Sequence, residues 1–173
     1  CVLELGGKSA AIVHDDADLA AFENDVRWGI YFNAGQVCSA MSRVIVHDSV
    51  HDALVERMVG VAQSLIVKPG IDQPDFGPTM GAMVSDAQRD RAVAMITAAQ
   101  HEGATVATGG HKLNTPGAFL EPTILTNVTP DMTIAQSEVF GPVLSVLKFS
   151  ADDEAIKIAN GTPYGLVGGV FTN

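Results

Sequence analysis

An α/β domain with a largely parallel sheet flanked by helices is what this sequence predicts, and three observations carry that prediction. Short β-branched or apolar runs alternate along the chain with stretches whose apolar residues recur at helical spacing, the pattern of strands joined by crossover helices. The chain has 173 residues, 47% of them apolar and 17% charged, which suits one globular domain able to bury roughly 70% of its unfolded surface. No internal repeat or low-complexity tract breaks the alternation.

Each element has its own signal. Residues 9–14 (SAAIVH) form an apolar run between Gly-Gly and Asp-Asp and read as a buried strand. Asp15, Asp16 and Asp18 then offer cap and first-turn acids for a helix over 18–32, where Leu19, Phe22, Val26, Ile30 and Phe32 share one face. Asn33-Ala34-Gly35 stops that helix. Arg43–His47 (RVIVH) is the next strand, and residues 50–66 a second helix ended by Pro69-Gly70. Pro74, Gly77, Pro78 and Gly81 mark a loop, after which Ser85 caps a third helix running through His101 and closed by Gly103. Thr105–Thr108 reads as a strand, with turns at Gly109-Gly110 and over 114–117. Residues 119–125 are extended but broken by Pro122, so they read as an edge strand or linker. Val143–Phe149 is a strand, 152–160 a helix and 166–172 a last strand.

Charge and cysteine usage exclude several functions. A formal net charge of −10 disfavours nucleic acid, whose phosphates need a basic face, and it disfavours anionic lipid. No apolar run approaches a membrane span, and no signal-peptide pattern opens the chain. The two cysteines, Cys1 and Cys38, make no disulfide framework, so a reducing, cytoplasmic setting is expected. Because the first residue is a cysteine, the sequence reads as starting inside a longer chain.

Two stretches carry chemistry. Residues 33–40 (NAGQVCSA) present Cys38 in a glycine-containing loop directly after a helix, and residues 3–9 (LELGGKS) place Glu4 beside Gly6 and Gly7. A thiol and a carboxylate, each next to glycines, suit a nucleophile that forms an adduct and a base that resolves it. Glycine beside the thiol allows close approach of a substrate and frees amides to face developing negative charge. A plainer reading fits each residue too: an inert loop cysteine, a carboxylate bonded to neighbouring glycine amides, and for Glu138 a solvated acid in a turn. Gly7-Lys8-Ser9 resembles the end of a phosphate-binding loop, but that motif needs a glycine where Val2 stands. His47 and His51 are four apart, yet one ends a strand and the other begins a helix, so they read as surface histidines. No metal site is expected.

ELGGKS, GQVCSA and then residues 138–143 (EVFGPV), with Cys38 standing 34 positions after Glu4, resemble the aldehyde dehydrogenase family in order and spacing. PTIL at 122–125 and YGL at 164–166 extend the resemblance over the whole chain. It implies that residues 1–173 are the cysteine-bearing catalytic domain, with 1–9 the junction to an absent N-terminal dinucleotide-binding domain. It implies Cys38 as nucleophile and Glu4 as the base that activates water. It also implies Glu138, Phe140, Leu5 and Gly6 on the nicotinamide side of NAD or NADP, Glu138 accepting from ribose hydroxyls and Phe140 packing near the ring. The implied reaction oxidises a small-molecule aldehyde through a thiohemiacetal and a thioester, with the Cys38 N–H as one oxyanion donor, in a full-length protein that is a homo-oligomer. Two other classes stay open. A cofactor-free cysteine hydrolase needs a histidine within hydrogen-bond reach of Cys38, and a catalytically incomplete domain would serve a structural or assembly role.

Overall fold

The computed structural model describes residues 1–72 and 79–173; Pro74, Gly77 and Pro78 of the expected loop lie outside the described residues. The chain forms β1 (Ala10–Val13), α1 (Leu19–Ile30), a 3₁₀ turn at Phe32–Gly35, β2 (Arg43–His47), α2 (His51–Ser64), β3 (Ile66–Val67), β4 (Thr79–Met80), α3 (Asp86–Glu102), β5 (Thr105–Thr108), β6 (Thr123–Thr126), α4 (Thr133–Gln136), β7 (Val143–Phe149), α5 (Asp152–Ala159) and β8 (Gly168–Phe171).

Six strands make one sheet in the order β5-β6-β7-β2-β1-β8. Every pairing in it is parallel except β5 with β6, so the expected fold class holds. Strand alternation sends successive side chains to opposite faces. Val44 faces a cluster with Phe22, Val26 and Ile30 of α1, while Arg43 reaches the last carbonyls of α5. Helices therefore cover both faces, and the central strands β1, β2 and β7 carry almost continuous buried runs, as a doubly covered parallel sheet requires.

The caps follow the sequence signals. Asp18 Oδ1 accepts from the Ala20 and Ala21 amides at the start of α1, and Ser85 Oγ accepts from Gln88 N at the start of α3. Gly103 ends α3 in the left-handed region, at φ 112°.

Two expectations are corrected. Residues 123–125 belong to β6, which is no edge because it lies between β5 and β7, while residues 119–122 only lead into it. Pro122 sits just before the first paired residue, and the ladder opens with Thr123 N donating to Pro142 O. The missing amide of proline therefore costs the sheet no bond. The edges are β5 and β8 instead. His51 is buried rather than a surface residue, its Nδ1 2.6 Å from Asp52 Oδ1; as the first residue of α2 it is turned inward against the sheet side of the helix. The two-residue strands β3 and β4 fall where the end of the second helix and a loop are expected, and the short helix α4 where no element is expected, all three being too brief for periodicity to register. Among the described residues no helix is long and apolar enough to cross a membrane.

Candidate active site

The three motifs each precede a strand. LELGGKS runs into β1, GQVCSA into β2 and EVFGPV into β7. Since β1 pairs parallel with β2 and β2 with β7, the loops entering them must all lie at the amino ends of these adjacent strands. Parallel register thus gathers residues up to 131 positions apart, as in the bond from Gly7 N to Glu138 Oε1 at 3.0 Å.

The close contacts are made by glycines. The carbonyl oxygen of Cys38 lies where a Cβ on residue 7 would stand. At residue 6 a Cβ would come within 2.6 Å of Glu138 Oε2 and 3.4 Å of the Tyr164 ring. Gly35, at φ 70°, backs onto the Gly141 carbonyl and leaves a Cβ only 2.8 Å from Pro142 N. Gly6-Gly7, the cysteine loop and the EVFGPV loop therefore meet backbone to backbone.

Cys38 is exposed and unoxidised. It is the second residue of a turn closed by Ala40 N donating to Val37 O at 3.0 Å, and its own N–H donates to nothing among the described residues. The turn follows three consecutive left-handed residues, Asn33 (φ 51°), Ala34 (φ 54°) and Gly35 (φ 70°). That turn swings the chain off the end of α1 and aims it back toward β2. Glu4, Leu5 and Gly6 are exposed on the segment that enters the site, and Gly7 is the first buried residue of that segment.

Glu138 and Phe140 are half-buried. Glu138 Oε1 is taken by Gly7 N, whereas Oε2 accepts no hydrogen bond among the described residues, and the absent Cβ of Gly6 keeps space open beside it. Phe140 sits in the left-handed region at φ 54°, a conformation that a bulky residue holds only when its surroundings impose it. Gln88 imposes it, its Nε2 donating to the Val139 and Phe140 carbonyls at 2.9 and 3.0 Å.

Sequence reasoning missed two members of this group. Lys8 is fully buried, at 1% exposure, and among the described residues its Nζ has no hydrogen-bond partner. Burial, reinforced by the neighbouring Arg43 guanidinium and opposed by the Glu138 carboxylate, pulls its ammonium down to about 7. Arg43 is buried as well and donates from Nε to Lys8 O at 2.8 Å, from Nη1 to Ile158 O at 2.9 Å and from Nη2 to Ala159 O at 2.8 Å. It thereby ties the LELGGKS segment to the end of α5. In the sequence Lys8 stands out only as the end of a failed phosphate-loop pattern and Arg43 only as the first residue of a strand, so nothing there signals burial of either charge.

Among the described residues no histidine hydrogen-bonds Cys38. His14 follows β1 and His47 is the last residue of β2; both pack edge-on against Phe149, at the opposite end of the sheet. His111 pairs with Glu121 at 3.1 Å, and no three His, Cys, Asp or Glu side chains converge as metal ligands among the described residues.

Known proteins resemble the chain over its whole length. The sequence model described as "Aldehyde dehydrogenase family" matches residues 1–173. The chain is 46% identical over 170 residues to "Aldehyde dehydrogenase, mitochondrial" of Leishmania tarentolae, covering 98% of this chain and 34% of the relative. It is 46% identical over 174 residues to a betaine aldehyde dehydrogenase of Brucella anthropi, covering 98% and 35%. Among solved structures it superimposes on a betaine aldehyde dehydrogenase of Staphylococcus aureus in complex with NAD⁺, with TM-score 0.92 and 39% identity over 98% of this chain and 34% of that one. An NAD-dependent aldehyde dehydrogenase of Sinorhizobium meliloti gives TM-score 0.91 and 40% identity, covering 98% and 33%. The chain spans about a third of the length of these relatives.

Proposed function

The chain belongs to the aldehyde dehydrogenase family, and from that premise we propose that it carries the nucleophile and base for oxidation of an aldehyde to a carboxylic acid, with NAD or NADP as electron acceptor. The observation that carries the reading is the convergence of Cys38, Gly7 and Glu138 at the amino ends of β1, β2 and β7.

The Cys38 sulfur, as thiolate, adds to the aldehyde carbon and pushes the carbonyl electron pair onto oxygen, giving a thiohemiacetal. The unengaged Cys38 N–H is one donor to that oxyanion, and it is preorganised because the Val37–Ala40 turn and the Gly7 contact hold the peptide on both sides. When bound, the nicotinamide of NAD or NADP supplies the two-electron acceptor that converts the thiohemiacetal to a thioester. Glu4 takes a proton from water as that water attacks the thioester carbon, and the Cys38 thiolate leaves.

The residues fit the nicotinamide half of such a cofactor. The free Oε2 of Glu138 is an acceptor for a ribose hydroxyl, the missing side chain of Gly6 leaves room for it, and Phe140 offers a flat apolar face. Leu5 belongs to the same wall by its place beside Gly6. The same reading has a cytoplasmic homo-oligomer as the full-length enzyme.

The test is direct. The full-length protein is mixed with aldehyde and NAD, quenched in acid and digested, and the peptide bearing Cys38 is weighed. An acyl adduct on Cys38, absent from Cys38→Ser, is the expected result. Turnover in Cys38→Ser at the wild-type rate would sink the assignment. Exposed Val2, Leu3 and Trp28 support a second reading of the chain as an assembly module, and that reading expects no adduct at all.

A further inference from the structure

We propose that Gln36 is the positioning residue that aims Cys38, locking the left-handed turn before the thiol and tying it to the start of α3. The proposal rests on the reading of Cys38 as nucleophile.

Three consecutive left-handed residues are costly for Asn33 and more so for Ala34, which has a Cβ and no polar group to compensate. The turn persists only if something over-determines it, and Gln36 does so from both ends. Its backbone N–H and its Nε2 both donate to Asn33 O, at 3.2 and 3.0 Å. Asn33 Nδ2 returns a bond to Gln36 O at 3.0 Å. The remaining polar atom, Gln36 Oε1, accepts from Val84 N at 2.8 Å. The amide orientation is unambiguous, since a backbone N–H can only donate and a carbonyl can only accept.

Gln36 is two residues before Cys38, so it fixes the direction from which the chain enters the Val37–Ala40 turn. That direction decides where the Cys38 N–H and thiol point. The Val84 bond adds a second consequence. Val84 immediately precedes Ser85, the cap of α3, and Gln88 in the first turn of α3 holds the Val139 and Phe140 carbonyls. One short chain of hydrogen bonds thus runs from the thiol loop through Gln36 and the start of α3 to the loop carrying Glu138 and Phe140. It sets the thiol and the nicotinamide-side residues in one frame, where a displacement of an ångström costs about a hundredfold in rate.

The experiment uses the full-length enzyme with Gln36→Met, which keeps length and volume but no polar atom, and Gln36→Glu, which keeps the acceptor for Val84 N–H but sets an oxygen against Asn33 O. Stopped-flow reads the burst of reduced cofactor. Steady state reads KM for NAD, and a thermal melt reads folding. The expected result is a burst slowed about tenfold or more in both variants, with KM for NAD within about twofold of wild type and an unchanged melt. The proposal is overturned if both variants burst within about twofold of wild type, if the burst falls only in step with a lowered melt and raised KM, or if neither variant folds. Cys38→Ser is run alongside: a wild-type burst there removes the nucleophile reading and this proposal with it, while a Cys38-dependent burst indifferent to Gln36 removes this proposal alone.

Discussion

Gly7 and Cys38 touch through the backbone, the Cys38 carbonyl filling the space that a side chain at position 7 would need. This contact is where the carboxylate-bearing segment and the thiol loop meet, and the same Gly7 donates its N–H to Glu138. Gly7→Ala places a Cβ against a carbonyl that has no flexible end to move. Overpacking of this kind costs typically 1–3 kcal/mol, or about 2 kcal/mol here. The expected outcome is a folded full-length enzyme with a measurably lower melting temperature and kcat reduced about a hundredfold through displacement of the thiol. Gly7→Ala with wild-type kcat would show that the contact does not position Cys38.

Glu4→Gln separates the two half-reactions. If Glu4 serves only the attack of water on the thioester, the variant of the full-length enzyme gives one stoichiometric burst of reduced cofactor and then turns over about 10²–10⁴ times more slowly. Rapid mixing followed by steady-state assay reads both phases. A missing burst would assign Glu4 to thiol activation or to holding the loop instead.

Lys8 makes the stability of the 173-residue chain pH-dependent. Its ammonium is lowered from 10.5 to about 7, so between those values the unfolded chain binds the extra proton and stability rises with pH. Below about 7 both states are protonated and the full penalty of the buried charge is present. Lys8→Met removes that penalty and fills the same space with an apolar chain. The variant is expected to melt above wild type at pH 7 and below, with the gap narrowing as pH climbs through 8 and 9. A gap that stays constant from pH 6 to 9 would mean that Lys8 does not titrate in this range.

Cofactor affinity is a matter of how much of the dinucleotide the chain can reach. No G-x-G-x-x-G turn occurs anywhere in the sequence, and on the proposed reading Glu138 and Phe140 address only the nicotinamide half. Half a ligand offers too few contacts to offset the freedom lost on binding. Calorimetry on the purified 173-residue chain is expected to show a folded protein with no micromolar NAD binding and no turnover. Tight binding by this chain would require an adenine or pyrophosphate site that Glu138 and Phe140 do not make.

Most strands and helices are legible in the sequence alone, the two-residue strands β3 and β4 and the short helix α4 excepted. Strand and helix alternate because period-two and period-3.6 apolar patterns bury one face at a time, and RVIVH or the Asp18-capped helix are legible from neighbours within one or two turns. Cys38 and Glu4 stand out for the same reason, as residues in local clusters beside glycines, whereas Glu138 is singled out only by the family resemblance of its EVFGPV stretch. Whatever depends on register across the sheet comes instead from the folded chain as a whole. Only the parallel pairing of β1, β2 and β7 brings Gly7 to Cys38 and to Glu138. Only the order of strands turns the segment after Pro122 from an expected edge into an interior strand. Only packing from both faces buries the ammonium of Lys8 and gives Arg43 three carbonyls to hold. Periodicity reports which side of a segment is apolar, whereas distance between loops is set by which strands pair, and that is a property of the whole chain at once.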